Sequence, residues 1–87
     1  MMDETGDIIG LDVYTPKGIF VGKVADIGFD LSDRRMSGII IDDVNPAVAE
    51  HNIILNIPFD WIYAIGDVIL LKRFPEKILR NGTLQGL

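Results

Sequence analysis

The sequence predicts an all-β fold, a small, mostly antiparallel β-barrel of five or six strands with a short C-terminal helix. Three observations predict it. Apolar residues fall in strand-length runs such as Ile39-Ile40-Ile41 and Val68-Ile69-Leu70-Leu71. Turn-forming clusters separate those runs at short intervals. Between residues 19 and 30 the alternation changes phase, with Phe20, Gly22 and Val24 on one parity and Ile27 and Phe29 on the other. A slip of that kind predicts a β-bulge near Ala25-Asp26, the device that bends a sheet toward a barrel.

Each element has its own local reason. Residues 1–7 show no periodicity and are read as a loose N-terminal arm, followed by the barrel over 8–73 and a helix and tail over 74–87. Strand one is expected over 9–14, before Thr15-Pro16-Lys17-Gly18. In that turn proline presets the first corner and glycine can take positive φ. Strand two is expected as one long bulged strand over 19–30, because no turn residue interrupts the slip. Ser32-Asp33-Arg34-Arg35 turns into strand three over 36–43, which is apolar on both parities. Asn45 can cap, and Pro46 open, one helical turn over 46–50. Strand four, 53–57, ends at Pro58, and the aromatic stretch 59–65 reads as a short 3₁₀ or irregular plug. Strand five covers 67–72. Pro75 suits the first turn of a helix over 74–80, and Asn81-Gly82 its left-handed stop.

Composition bounds the partners. Eighty-seven residues make one domain, and 48% of them are hydrophobic. A core this small cannot hide them all, so some apolar surface is expected to meet another chain. No run approaches the ~18 apolar residues of a membrane span, so no membrane insertion is expected. The acidic start is wrong for a secretory signal, and there is no cysteine. A cytoplasmic location is the simplest expectation. Thirteen acids against eight scattered bases leave a net charge of −5, a field that repels nucleic acid.

Three pieces in order carry a family resemblance: Gly10-Leu11-Asp12-Val13, then Gly22-Lys23-Val24-Ala25-Asp26-Ile27, then Ile57-Pro58 followed by Ala64-Ile65-Gly66-Asp67-Val68-Ile69-Leu70-Leu71. Across roughly residues 8–73 the chain resembles the PRC-barrel domain. The resemblance implies a non-enzymatic module that works through protein contacts. In length and in lacking extra domains the chain is most similar to archaeal PRC-barrel cell-division proteins, which implies an adaptor docking on a SepF-like anchor. The ribosome maturation factor carries the same domain, and implies the alternative of a factor that binds a ribosomal protein.

No catalytic, cofactor or metal set is expected. Asp42 and Asp43 are adjacent in a strand and point to opposite faces, so with Glu50 and His51 they form a poor cation site. His51 has no accompanying serine or cysteine nucleophile pattern. The candidate partner-binding residues are Arg34 and Arg35 in a turn, Ile40 and Ile54 on the outward parity of two apolar strands, and the aromatics Trp61 and Tyr63. Trp61 and Tyr63 can equally plug the barrel end. Greasy outward positions at Ile40 and Ile54 need a docked helix or a second subunit, and a homodimer is expected.

Overall fold

Turn chemistry sets the first hairpin. The buried Thr15 accepts the N–H groups of Lys17 and Ile19 on its hydroxyl oxygen, at 3.2 and 3.1 Å. Gly18 closes the turn at φ 82° by donating to the Thr15 carbonyl. The structure, a computed structural model, describes residues 8–79 and 84–85. The expected arm over 1–7 and the Asn81-Gly82 stop lie outside the described residues.

The strands are β1 (Asp12–Tyr14), β2 (Phe20–Lys23), β3 (Asp26–Asp30), β4 (Arg35–Ile41), β5 (Leu55–Pro58), β6 (Ile62–Ile65), β7 (Ile69–Leu71), β8 (Lys77–Ile78) and β9 (Leu84–Gln85). They form a sheet of order β2-β1-β7-β6, here sheet A, and a sheet of order β3-β4-β5, here sheet B. A two-stranded ribbon, β8-β9, completes the set. Strand β1 runs parallel to β7, and the other strand pairs are antiparallel. The domain is therefore all-β, but no hydrogen-bonded ring of strands closes among the described residues. Two open sheets share one core.

The expected long strand over 19–30 is two strands in different sheets. The Val24 N–H donates to Leu11 beside sheet A, whereas the Ala25 N–H donates to Ile40 in sheet B. The phase slip marks a change of partner, not a bulge within one strand. Register shifts occur elsewhere, at Val13/Tyr14, Gly28/Phe29 and Ile62/Ala64.

The expected C-terminal helix is also absent from the described part of 74–80. The Ile78 N–H donates to the Val48 carbonyl, and the Ile78 carbonyl accepts from Glu50. So short a segment cannot hold a helix alone, and pairing with the 48–50 loop wins. The loop's own expected helical turn is a single hydrogen-bonded turn, Val48 N–H to Asn45 carbonyl, with the Asn45 side chain accepting from Ala47. The plug resolves into a 3₁₀ turn, Phe59–Trp61, that leads straight into β6.

Aliphatic side chains from both sheets meet between them. Val13, Val21 and Ile69 of sheet A pack in one cluster with Ile39, Ile41 and Ile57 of sheet B. The inward row Ile27, Ile39, Ile57 follows from the register of β3, β4 and β5. Two glycines permit close approach. A Cβ on Gly22 would lie 2.6 Å from Ile41 Cγ2 and 3.0 Å from the Asp43 carbonyl oxygen. A Cβ on Gly38 would collide with the Ile57 carbonyl.

Burial ranks the isoleucines. Ile39 is 0% exposed and Ile54 is 70% exposed. Ile39→Ala is expected to cost about 2–5 kcal/mol in urea unfolding, and Ile54→Ala no more than about 0.5 kcal/mol. Gly38→Ala is expected to cost at least about 3 kcal/mol, since backbone, not a side-chain tip, must move. Equal midpoints for Ile39→Ala and Ile54→Ala contradict the assigned faces.

Candidate functional site

The β3-β4 hairpin runs past the sheet that holds it. Strand β5 pairs with β4 only from Gly38 onward, so Phe29 and its partner Met36 have no third strand beside them. Both are exposed, and Leu31 at the apex is 81% exposed. The apex is nonetheless built. Asp30 Oδ1 accepts from the Ser32 hydroxyl at 2.7 Å, the Ser32 N–H at 3.0 Å and the Asp33 N–H at 3.3 Å. Those bonds, the Ser32 side chain first, hold the Asp30 carboxyl below its ordinary range. Arg34 takes the left-handed conformation at φ 55°, and Arg35 opens β4 opposite Asp30.

The predicted pair Arg34 and Arg35 thus flanks an apolar apex that sequence reasoning passed over. Phe29 shares a parity with the inward Ile27, and only the register shift at Gly28/Phe29 carries it past the core. The usable signal was the apolar residue on either side of a polar turn, Leu31 and Met36.

Sheet A presents a second apolar feature. Tyr14 lies opposite Phe20 and Leu70, and Leu70 opposite Ala64, which makes one outward row across four strands. The Tyr14 and Phe20 rings sit 5.7 Å apart. Next in register, Lys23 Nζ meets Asp12 Oδ1 at 2.6 Å, and that hydrogen bond raises the lysine's pKa. An ion pair this exposed contributes little stability.

The remaining candidates separate. Ile40 is half-buried in the outward row Asp26, Ile40, Asn56, with Ile54 just before β5 on the same sheet. Trp61 is half-buried and meets Phe74 edge-on at 6.2 Å, whereas Tyr63 on β6 is 74% exposed. One ring packs and the other faces out. The six candidates form no single cluster: two sit at the hairpin turn, two on sheet B, Trp61 in the 3₁₀ turn and Tyr63 on the edge strand of sheet A.

Among the described residues no His, Asp and Glu group gathers as a metal set. Asp42, Asp43, Glu50 and His51 are all exposed. Thr15 is the buried polar residue among them, and its hydroxyl builds a turn. No helix among the described residues is long and apolar enough to cross a membrane. What the arrangement offers chemically is contact area.

The model of one protein family, described as PRC-barrel domain, matches residues 2–78. It is a small protein-interaction fold. No curated protein matches the chain.

The apex depends on one carboxylate. Asp30→Ala is expected to speed amide exchange at Ser32 and Asp33 while leaving Ile39 protected. Acid does the same to the native chain. A carboxyl whose folded value is lowered contributes fully above the ordinary range, about pH 4, and that contribution is lost as pH falls through the folded value. Exchange at Ser32 and Asp33 that Asp30→Ala leaves unchanged contradicts the assignment.

Proposed function

We propose that this chain, which belongs to the PRC-barrel domain family, is a non-enzymatic, homodimeric adaptor of the cytoplasm that binds other proteins. The observation that carries the reading is the β3-β4 apex. Asp30 orders a turn that displays Phe29, Leu31 and Met36 between acidic and basic residues, with Arg34 and Arg35 beside them. Apolar anchors that are ordered before binding lose little entropy on docking, and arginine is enriched where interface energy concentrates.

The finer role rests on the resemblance to archaeal cell-division PRC-barrel proteins, so the proposed partner is a SepF-like anchor. Ile40 and Ile54 on sheet B and Tyr63 on β6 are proposed as further contact residues, with Trp61 bracing its neighbours against Phe74. The net charge of −5 favours a protein partner over nucleic acid in either setting.

The test is a pull-down from native lysate with and without ribonuclease, comparing the natural chain with Leu31→Ser and Arg35→Glu. Division-ring proteins are expected on the natural chain under both conditions, with recovery reduced about tenfold by Leu31→Ser. Recovery of small-subunit ribosomal proteins instead overturns the division role in favour of a ribosome-associated one. Recovery indifferent to both substitutions removes the apex as the contact.

A further inference from the structure

Every open sheet leaves two edges, and an unguarded edge pairs with other chains. Groups on three of the four edges here are already engaged. On β2, the Phe20 and Val21 carbonyls accept from the Asn45 side-chain amide and N–H, at 2.7 and 2.8 Å. On β3, the Ile27 N–H turns back to the Asp26 carboxylate at 2.7 Å. On β6, the Ile62 N–H donates to the Phe59 carbonyl of the 3₁₀ turn. That leaves β5.

The free groups of β5 follow from one bond. Ala25 donates to the Ile40 carbonyl, so that carbonyl faces β3, and by alternation Ile39 and Ile41 turn theirs to β5. Ile39 and Ile41 therefore exchange both hydrogen bonds with their opposites, Ile57 and Leu55. Across a trans peptide a C=O and the next N–H point opposite ways. The Ile54 C=O, the Asn56 N–H and the Asn56 C=O thus point away from β4. Among the described residues β5 pairs with β4 alone, and none of these three groups is bonded. Ile54 and Asn56 are both exposed.

We infer that the β5 edge captures an extended, basic segment of a partner protein, which adds a fourth strand to the three of sheet B through these main-chain groups. The inference goes beyond the apex reading and gives the proposed adaptor a second site. Both ends of the edge are acidic. Asp42 follows Ile41, the residue opposite Leu55, and Asp60 follows the Pro58 end; both are exposed. From Met36 to Asp60 the chain has no lysine or arginine. Side chains of an incoming strand alternate. Those level with Leu55 and Ile57 turn inward, where Ile53 and Phe59, of the same parity, are half-buried against the core. Those level with Ile54 and Asn56 turn outward, between the two carboxylates. Apolar residues inward and lysine or arginine outward fit that arrangement. A second copy's β5 does not. Centred on Asn56, an antiparallel copy sets Pro58 against Ile54 and offers that carbonyl no N–H. It also brings the Asp42 end of one copy to the Asp60 end of the other.

The probe is a capped peptide of alternating lysine and valine, titrated into the full chain and read by amide NMR shifts. The titration runs to ~1 mM, because so short a contact supports only weak affinity. Saturable shifts are expected at Leu55, Asn56 and Ile57, with Phe29 and Leu31 unmoved and Leu31→Ser matching the natural chain. N-methylated at its lysines, the peptide keeps its charge and loses the donors for the Ile54 and Asn56 carbonyls. It is expected to bind at least about tenfold more weakly. Asn56→Pro removes the outward N–H at an edge position that tolerates proline, and is expected to weaken binding similarly; the N-methylated peptide keeps the test valid if that variant fails to fold. A glutamate–valine peptide is expected to bind at least about tenfold more weakly than the lysine one. Undiminished binding of the N-methylated or the glutamate peptide overturns the inference, as does no saturable shift by ~1 mM. Shifts at Asn56 that follow protein concentration without peptide overturn it in favour of a second copy. Each of these leaves the apex reading standing.

Discussion

The fold depends on one passage of backbone, the step from Val24 to Ala25. Gly10 donates to the Val24 carbonyl at 2.8 Å and Val24 to Leu11 at 3.0 Å, which ties this residue to sheet A. The next N–H, on Ala25, donates to Ile40 at 2.7 Å and belongs to sheet B. The Val24 side chain is meanwhile buried in the shared core. Adjacent residues therefore fix the two sheets to each other, and the close approach of Gly22 to Ile41 and Asp43 follows from the same passage. Neither sheet buries its inner face without the other, because Val13 and Ile69 find their cover in Ile39 and Ile57.

That constraint gives an interaction domain what it needs. The β3-β4 apex belongs to sheet B, and the β6 edge to sheet A. Joined through Val24 and Ala25, the apex and β6 are held in fixed relation. The aliphatic core contains no buried charge among the described residues, so the surface can vary without leaving an ion stranded inside. The ordered carboxylate of Asp30 is engaged in shaping a turn.

Much of this was legible in the residues because it is local. Thr15-Pro16-Lys17-Gly18 folds as its turn chemistry dictates, and Ile39 and Ile41 face inward as their parity requires. The 3₁₀ turn at Phe59–Trp61 follows the aromatic cluster after Pro58. What was not legible depends on partners distant in sequence. A phase slip at residues 24–26 looks the same whether a strand bulges or changes sheets, and only the hydrogen bond from Ala25 to Ile40 distinguishes them. Pro75 carried a helix signal, but Ile78 gains more by pairing with Val48 and Glu50. Phe29 kept the parity of a core residue and lost its cover to a register shift. Likewise, Ile54 was legible as an outward residue, whereas Tyr63 stood open between partner anchor and barrel plug until its place on the edge strand β6 was known.

The most direct test of the central claim, that the Val24–Ala25 crossing binds both sheets into one rigid body, is native-state hydrogen exchange at Val24 and Ala25. The account predicts that both amides, with those of Val13 and Ile39, exchange only through global unfolding and share one free energy and one denaturant dependence. Exchange of Val24 and Ala25 through a smaller opening, with sheet A released while Ile39 stays protected, would contradict it.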